Sequence, residues 1–128
     1  MKIGIFDSGI GGLSVLHEAY HFLPGCEYVF YADTEHVPYG QKTPKQIRGY
    51  VEQITEFLIG KKVDAIVIAC NTATSVAIDD VREKYALPIL GMEPAVKPAI
   101  EETEGKRVMV IATPVTIREA KLQHLIQR

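Results

Sequence analysis

Short runs of aliphatic and β-branched residues recur along this chain, separated by longer stretches whose apolar residues return every three or four positions. Lys2–Phe6 predicts a buried strand, followed by a glycine-rich turn and a helix over Leu13–Phe22. Pro24 and Gly25 end that helix, and Tyr28–Ala32 predicts a second strand. Pro44 opens a long helix to about Ile59, with Ile47, Val51, Ile54 and Leu58 at helical spacing and Gly60 closing it. Asp64–Ala69 predicts a third strand, and Thr72–Tyr85 a third helix with Val76, Ile78 and Val81 turned inward. Pro88–Leu90 predicts a short fourth strand and Ala95–Glu102 a fourth helix. Arg107–Ala112 predicts a fifth strand, and Thr116–Gln127 a last helix carrying Leu122, Leu125 and Ile126.

Strand and helix in alternation at this spacing imply right-handed crossovers and a mostly parallel sheet. The expected fold is a doubly wound α/β domain spanning residues 1–128, a five-stranded sheet with helices on both faces. Such sheets bind ligands at the carboxyl ends of their strands. The residues just past each predicted strand are Asp7-Ser8, Asp33, Cys70-Asn71-Thr72, Glu93 and Thr113. Carboxylates, hydroxyls, an amide and a thiol therefore meet at one edge. Cys26 precedes its strand and belongs at the opposite edge, about 20 Å away at roughly 3.3 Å per residue.

Composition narrows the class. Apolar residues make up 47% and charged residues 23%, and 128 residues suffice for one compact domain. A net charge of −2 gives no electrostatic case for nucleic acid. The longest apolar run, Ala65–Cys70, is too short to span a bilayer. The amino terminus enters a strand directly, with no secretory signal pattern, so a cytoplasmic location and two free thiols are expected. There is no Cys-x-x-Cys, and His17 and His21, four apart, read better as helix surface than as a metal pair. No metal is expected.

Two clusters carry candidate chemistry. Asp7-Ser8-Gly9-Ile10-Gly11-Gly12-Leu13-Ser14 is a turn whose glycines allow close backbone approach to a ligand, ahead of a helix amino terminus. Gly9-x-Gly11-x-x-Ser14 is a near miss of a dinucleotide fingerprint, with Asp33 where a ribose-binding acid belongs. Asp7 at the strand tip would repel a pyrophosphate, and serine replaces the third glycine. Cys70-Asn71-Thr72-Ala73-Thr74 places a thiol where a strand ends and a helix begins, with Thr72 as the expected cap. Helix-terminal amides favour a thiolate at such a position. The plainer reading is a small buried hydrophobe. Asn71 and Thr72, able to hold a carboxylate, favour a site. Pro38-Tyr39-Gly40, a loop after the second strand, can cover such a pocket.

These clusters occur together with Tyr31-x-Asp33, Gly91-x-Glu93-Pro94 and Ala112-Thr113-x-x-Thr116. In this order they resemble the glutamate racemases of the Asp/Glu racemase family, along the whole chain. The resemblance implies Cys70 as one of two catalytic cysteines, with Asp7 as its partner in orienting the thiol or moving its proton. It implies a substrate pocket lined by Asp7, Ser8, Tyr39, Gly40, Asn71 and Thr72, with Thr113 and Thr116 close by. It implies a cofactor-independent isomerase acting on glutamate, without pyridoxal phosphate or metal, that supplies D-glutamate for peptidoglycan. Family members carry a second domain bearing a second cysteine followed by threonine and histidine. This chain holds one half of such a site, and pairing of two copies stays open. An aspartate racemase is the alternative within the class. A non-catalytic small-molecule binding module and a nicotinamide-dependent oxidoreductase are the rivals outside it.

Overall fold

The computed structural model describes residues 1–103 and 107–126. Four strands, β1 (Lys2–Asp7), β2 (Glu27–Ala32), β3 (Ala65–Ile68) and β4 (Ile89–Gly91), form one parallel sheet in the order β2-β1-β3-β4. Ile5 of β1 pairs with Phe30 and Val67, and Val67 with Leu90, which fixes the register across the sheet. Among the described residues six α-helices lie between and after them in chain order: α1 (Leu13–Phe22), α2 (Pro44–Gly60), α3 (Asn71–Lys84), α4 (Val96–Glu102), α5 (Pro114–Arg118) and α6 (Ala120–Ile126).

The core lies on one face of the sheet. Phe6, Ile66, Ile68 and Ile89 point into it from the strands. Ile47, Val51, Ile54 and Leu58 of α2 and Ala73, Val76, Ala77, Ile78 and Val81 of α3 close over them, and all of these are buried. Each such side chain contributes about 1.5–3 kcal/mol by leaving water if it is as large as Leu or Ile. A capping box fixes where α2 starts: Gln46 N–H donates to Thr43 Oγ1 while Gln46 Oε1 accepts from Thr43 N–H, and Pro44 occupies the first turn. On the opposite face, with Ile3, Ile5, Tyr28 and Phe30, α1 packs against β2. Tyr28 Oη donates to the Ala19 carbonyl at 2.8 Å. None of the ten α1 residues is buried, and Leu90 of β4 is 55% exposed. Helices thus stand on both faces, unequally.

Two expectations are corrected. Residues 107–112 take no regular secondary structure and do not join the ladder, so among the described residues the sheet has four strands and not five. β-branched residues favour an extended backbone, but pairing needs a partner edge, and β4 offers only three residues. Residues 108–111 instead pass Asn71, Pro94 and α4, leaving Met109 and Ile111 85% and 89% exposed. The last helix is two: α5 starts at Pro114, with Thr113 accepting from Thr116 N–H as its cap, and Glu119 interrupts it with extended dihedrals. Leu122 is buried as expected. Gln127 and the side chains of Leu125 and Ile126 lie outside the described residues.

Candidate active site

The carboxyl edge of the sheet gathers the chemistry. β1 ends in Asp7, buried, whose Oδ2 accepts from Gly9 N–H at 3.1 Å and so folds the glycine turn back on the strand tip. Gly12 could carry no side chain: a Cβ there would lie 2.7 Å from Asp7 Cβ and 2.9 Å from Ala69 Cβ. That close approach brings α1 down onto the ends of β1 and β3 and leaves Ser8 facing Cys70.

Cys70 is 7% exposed and sits at the junction of β3 and α3. Its thiol donates to Ser8 Oγ at 3.3 Å, and its sulfur accepts from Ala73 N–H at 3.4 Å. The cap of α3 is therefore Cys70 itself, not Thr72. The extended dihedrals of Cys70 aim the sulfur at the free amides of the first turn, the role usually taken by serine or aspartate.

Thr72 is released for another contact. Its hydroxyl lies 3.0 Å from Thr113 Oγ1 and 3.1 Å from Thr116 Oγ1, which are themselves 3.0 Å apart. Three hydroxyls with one proton each can close a ring in which each donates once to the next, and Thr113 Oγ1 accepts in addition from Thr116 N–H at 3.2 Å. A carboxylate can take a donor from this ring only by opening it. Asn71 is exposed beside Thr72 and lines a recess with Glu93 and Pro94.

Pro38-Tyr39-Gly40 reaches the same place from β2. Tyr39 is 2% exposed, and its hydroxyl donates to Asp33 Oδ2 at 2.6 Å. Burial first, and the Asp33 bond next, hold that hydroxyl well above the usual tyrosine pKa. Its proton is thus spent on Asp33, and what this turn offers a ligand is the backbone and Gly40. Asp33 also accepts from His36 Nδ1 at 2.8 Å. A carboxylate held in this way and 3% exposed is turned away from solvent, which counts against its serving as the ribose-binding acid of the dinucleotide reading.

The structure so brings Ser8 to Cys70, Thr72 to Thr113 and Thr116, and Gly40 to Thr113, where an added Cβ would lie 2.9 Å from the Thr113 side chain. Cys26 lies apart, in an open groove with Leu16, His17, Tyr20 and Tyr28, and both cysteines are free. His21 Nδ1 bonds the His17 carbonyl at 2.8 Å, and among the described residues no three metal-ligating side chains converge. Among them, too, no helix is long and apolar enough to cross a membrane. The sequence reading missed His36 and the capping role of Cys70. The only signal for the first was a histidine three residues after the strand-end acid.

Known proteins resemble this chain in sequence and in fold. A family model described as Asp/Glu/Hydantoin racemase matches residues 13–128. The chain is similar to the glutamate racemase of Halothermothrix orenii, 57% identical over 128 residues, covering all of this chain and 51% of that protein. It is 59% identical over 130 residues to the glutamate racemase of Lachnospira eligens, covering 49% of it. The chain thus spans about half the length of the curated relatives it matches. Among solved structures, glutamate racemase from Aquifex pyrophilus superposes with a TM-score of 0.91 at 39% identity, over 99% of this chain and 51% of that one. The Escherichia coli enzyme, solved with L-glutamate and the activator UDP-MurNAc-ala, gives 0.92 at 37% identity, over 99% of this chain and 48% of that one.

Proposed function

The chain belongs to the Asp/Glu/Hydantoin racemase family, and on that premise we propose that it carries one half of a glutamate racemase site. Cys70 serves one face of the substrate α-carbon as the proton-transferring group. The observation that carries the reading is a thiol at the end of a central parallel strand, bonded to Ser8 and Ala73 N–H and flanked by a ring of three threonine hydroxyls.

Racemisation without a cofactor needs one base that removes the α-proton and a second, protonated group that returns one from the other side. A thiolate at Cys70 takes the proton and becomes the thiol. Bond-making at the opposite face needs a second thiol, which we assign to a second domain of the whole protein. Ser8, bonded to the sulfur, holds its direction. Asp7, one residue away and tied to the turn, orients the thiol or exchanges its proton. The α-proton is very weakly acidic, so the substrate must be held in contact distance and its charge matched as it develops. Asn71 and Thr72 grip a carboxylate, Thr72 by opening the hydroxyl ring. Thr113, Thr116, Tyr39 and Gly40 wall the pocket. The product is D-glutamate for peptidoglycan, made in the cytoplasm.

Peptide-resolved alkylation of the two cysteines tests this. D- or L-glutamate should slow labelling of Cys70 and leave Cys26 unaffected, and aspartate should protect less. NAD or NADP should leave the melting temperature where it is, since a ligand of the folded state raises it in proportion to the logarithm of its concentration. A rise that grows with NAD concentration from the micromolar range, or Cys70 labelling indifferent to glutamate, would overturn the reading.

A further inference from the structure

One buried carboxylate at this edge has no part in the proton transfer. Asp33 stands just past β2, 3% exposed. Its oxygens accept from Tyr39 Oη at 2.6 Å and from His36 Nδ1 at 2.8 and 3.1 Å. Its backbone N–H donates to the Asp7 carbonyl at 2.9 Å. His36 in turn stacks on Tyr50 of α2, ring centroids 3.9 Å apart. A carboxylate out of water is costly unless it is bonded, and bonds to a charged acceptor are the stronger kind. Asp33 is therefore a fixed point, tied through its backbone to the tip of β1 and through its side chain to the turn at residues 38–40.

The far side of that turn has no slack. The Gly40 backbone lies so close to Thr113 that an added Cβ would sit 2.9 Å from both Thr113 Cβ and Cγ2. Thr113 in turn bonds Thr72 and Thr116, and the Tyr39 ring belongs to the same buried cluster as Cys70. A shift at Tyr39 must pass to Thr113 on one side and to the lining of Cys70 on the other, because a close-packed interior offers no room to absorb it.

We propose that Asp33 is a positioning residue for the pocket beside Cys70: by holding the Tyr39 hydroxyl and the His36 ring, its carboxylate sets the turn against Thr113 and closes the wall over the thiol. The ligand of that pocket rests on the racemase reading, but the mechanical role does not. An anchor of this kind acts locally. Its loss opens the wall at Cys70 and leaves the groove of Cys26, on the other side of the sheet, as it was.

The test uses the 128-residue chain without ligand, with alkylation of both cysteines followed by mass spectrometry in wild type, Asp33→Ala, Tyr39→Phe and the double variant. Asp33→Ala should raise the Cys70 rate about tenfold, the effect of losing a hydrogen bond to a charged acceptor on a local opening. Tyr39→Phe should raise it in the same direction. The double variant should match Asp33→Ala, since both break one link. Cys26 should stay within about twofold throughout, the internal reference against global unfolding. Cys70 rates within twofold of wild type in Asp33→Ala and Tyr39→Phe would overturn the proposal, as would a rise shared equally by Cys26. If Asp33→Ala does not fold, Tyr39→Phe alone decides. Millimolar glutamate added to the same samples separates the two claims. Protection of wild type and its loss in Asp33→Ala supports both. An unprotected wild type counts against glutamate as the ligand, while the ligand-free rates still decide Asp33.

Discussion

Gly91 ends β4 where α3 crosses it, and alanine there should cost about 2–3 kcal/mol. A Cβ at this position would lie 2.4 Å from both Ile78 Cδ1 and Thr74 Cγ2 and 2.9 Å from Thr74 Oγ1. Those methyls cannot simply withdraw, since Thr74 is 1% and Ile78 3% exposed. Turning Thr74 about χ1 breaks its bond to the Ile68 carbonyl, 3.2 Å in the wild type, worth about 1 kcal/mol. Moving Ile78 or sliding the strand adds the usual penalty for overpacking, about 1–2 kcal/mol. Thermal and urea unfolding by circular dichroism should show the loss as a drop of about 10 °C in melting temperature. Ile78→Val removes the clashing methyl, so Gly91→Ala and Ile78→Val together should lose less than the sum of their separate effects, by about 1 kcal/mol. Gly49→Ala, in the interior of α2 with nothing within 4 Å of the added Cβ, should instead stabilise by about 0.5–1 kcal/mol. A Gly91→Ala protein within about 0.5 kcal/mol of wild type, or strict additivity with Ile78→Val, would refute the account of this packing.

Two further outcomes are read from stability measurements. Folding keeps the Tyr39 hydroxyl protonated far into alkali, while in the unfolded chain it titrates near 10, so the unfolded state alone loses that proton as pH rises past 10. Stability should fall there by about 1.4 kcal/mol per pH unit from this group, and Tyr39→Phe should flatten the urea-derived slope between pH 10 and 11. Thr116→Val keeps shape and deletes one member of the hydroxyl ring, leaving Thr72 and Thr113 each one partner short, and should cost about 1–2 kcal/mol in the same assay.

What the sequence disclosed and what it hid divide along a physical line. The strand-turn-helix around Asp7 and the strand-to-helix junction at Cys70 were readable because period and glycine spacing are local signals, and both landed within a residue of their observed bounds. Residues 107–112 show the limit: Val108, Val110 and Ile111 call for an extended backbone, but whether a neighbour pairs with it is decided elsewhere in the fold. α5 starts at Pro114 and not at Thr116: Thr113 caps it, and proline in the first turn is the stronger local mark. The link from Asp33 to His36 and Tyr39 sits in a loop, where spacing follows no period, and so had no pattern to read. Cysteine as a cap was missed for a chemical reason, since sulfur is a weak acceptor and serine-like residues usually take that place.

By itself the 128-residue chain should not racemise glutamate. Cys70 lies at the carboxyl edge of the sheet and Cys26 in the groove beside α1, so one chain presents one thiol to one face of an α-carbon. The other face is open to water, which weakens every charge contact to the substrate and leaves a thiolate solvated. A symmetric pair of chains could set two Cys70 thiols across one cleft. That pairing also brings two buried Asp7 carboxylates toward each other, and like charges at close range are unfavourable. Exposed Met109 and Ile111 give such a pair apolar surface to bury, so the balance is open to measurement. The circular dichroism of L-glutamate, followed with purified chain over a tenfold range of protein concentration, separates the cases. A constant signal is the expected result for half a site. A decay linear in protein would mean that one chain holds both bases, and a decay rising with its square that two chains rebuild the cleft; either would refute the prediction.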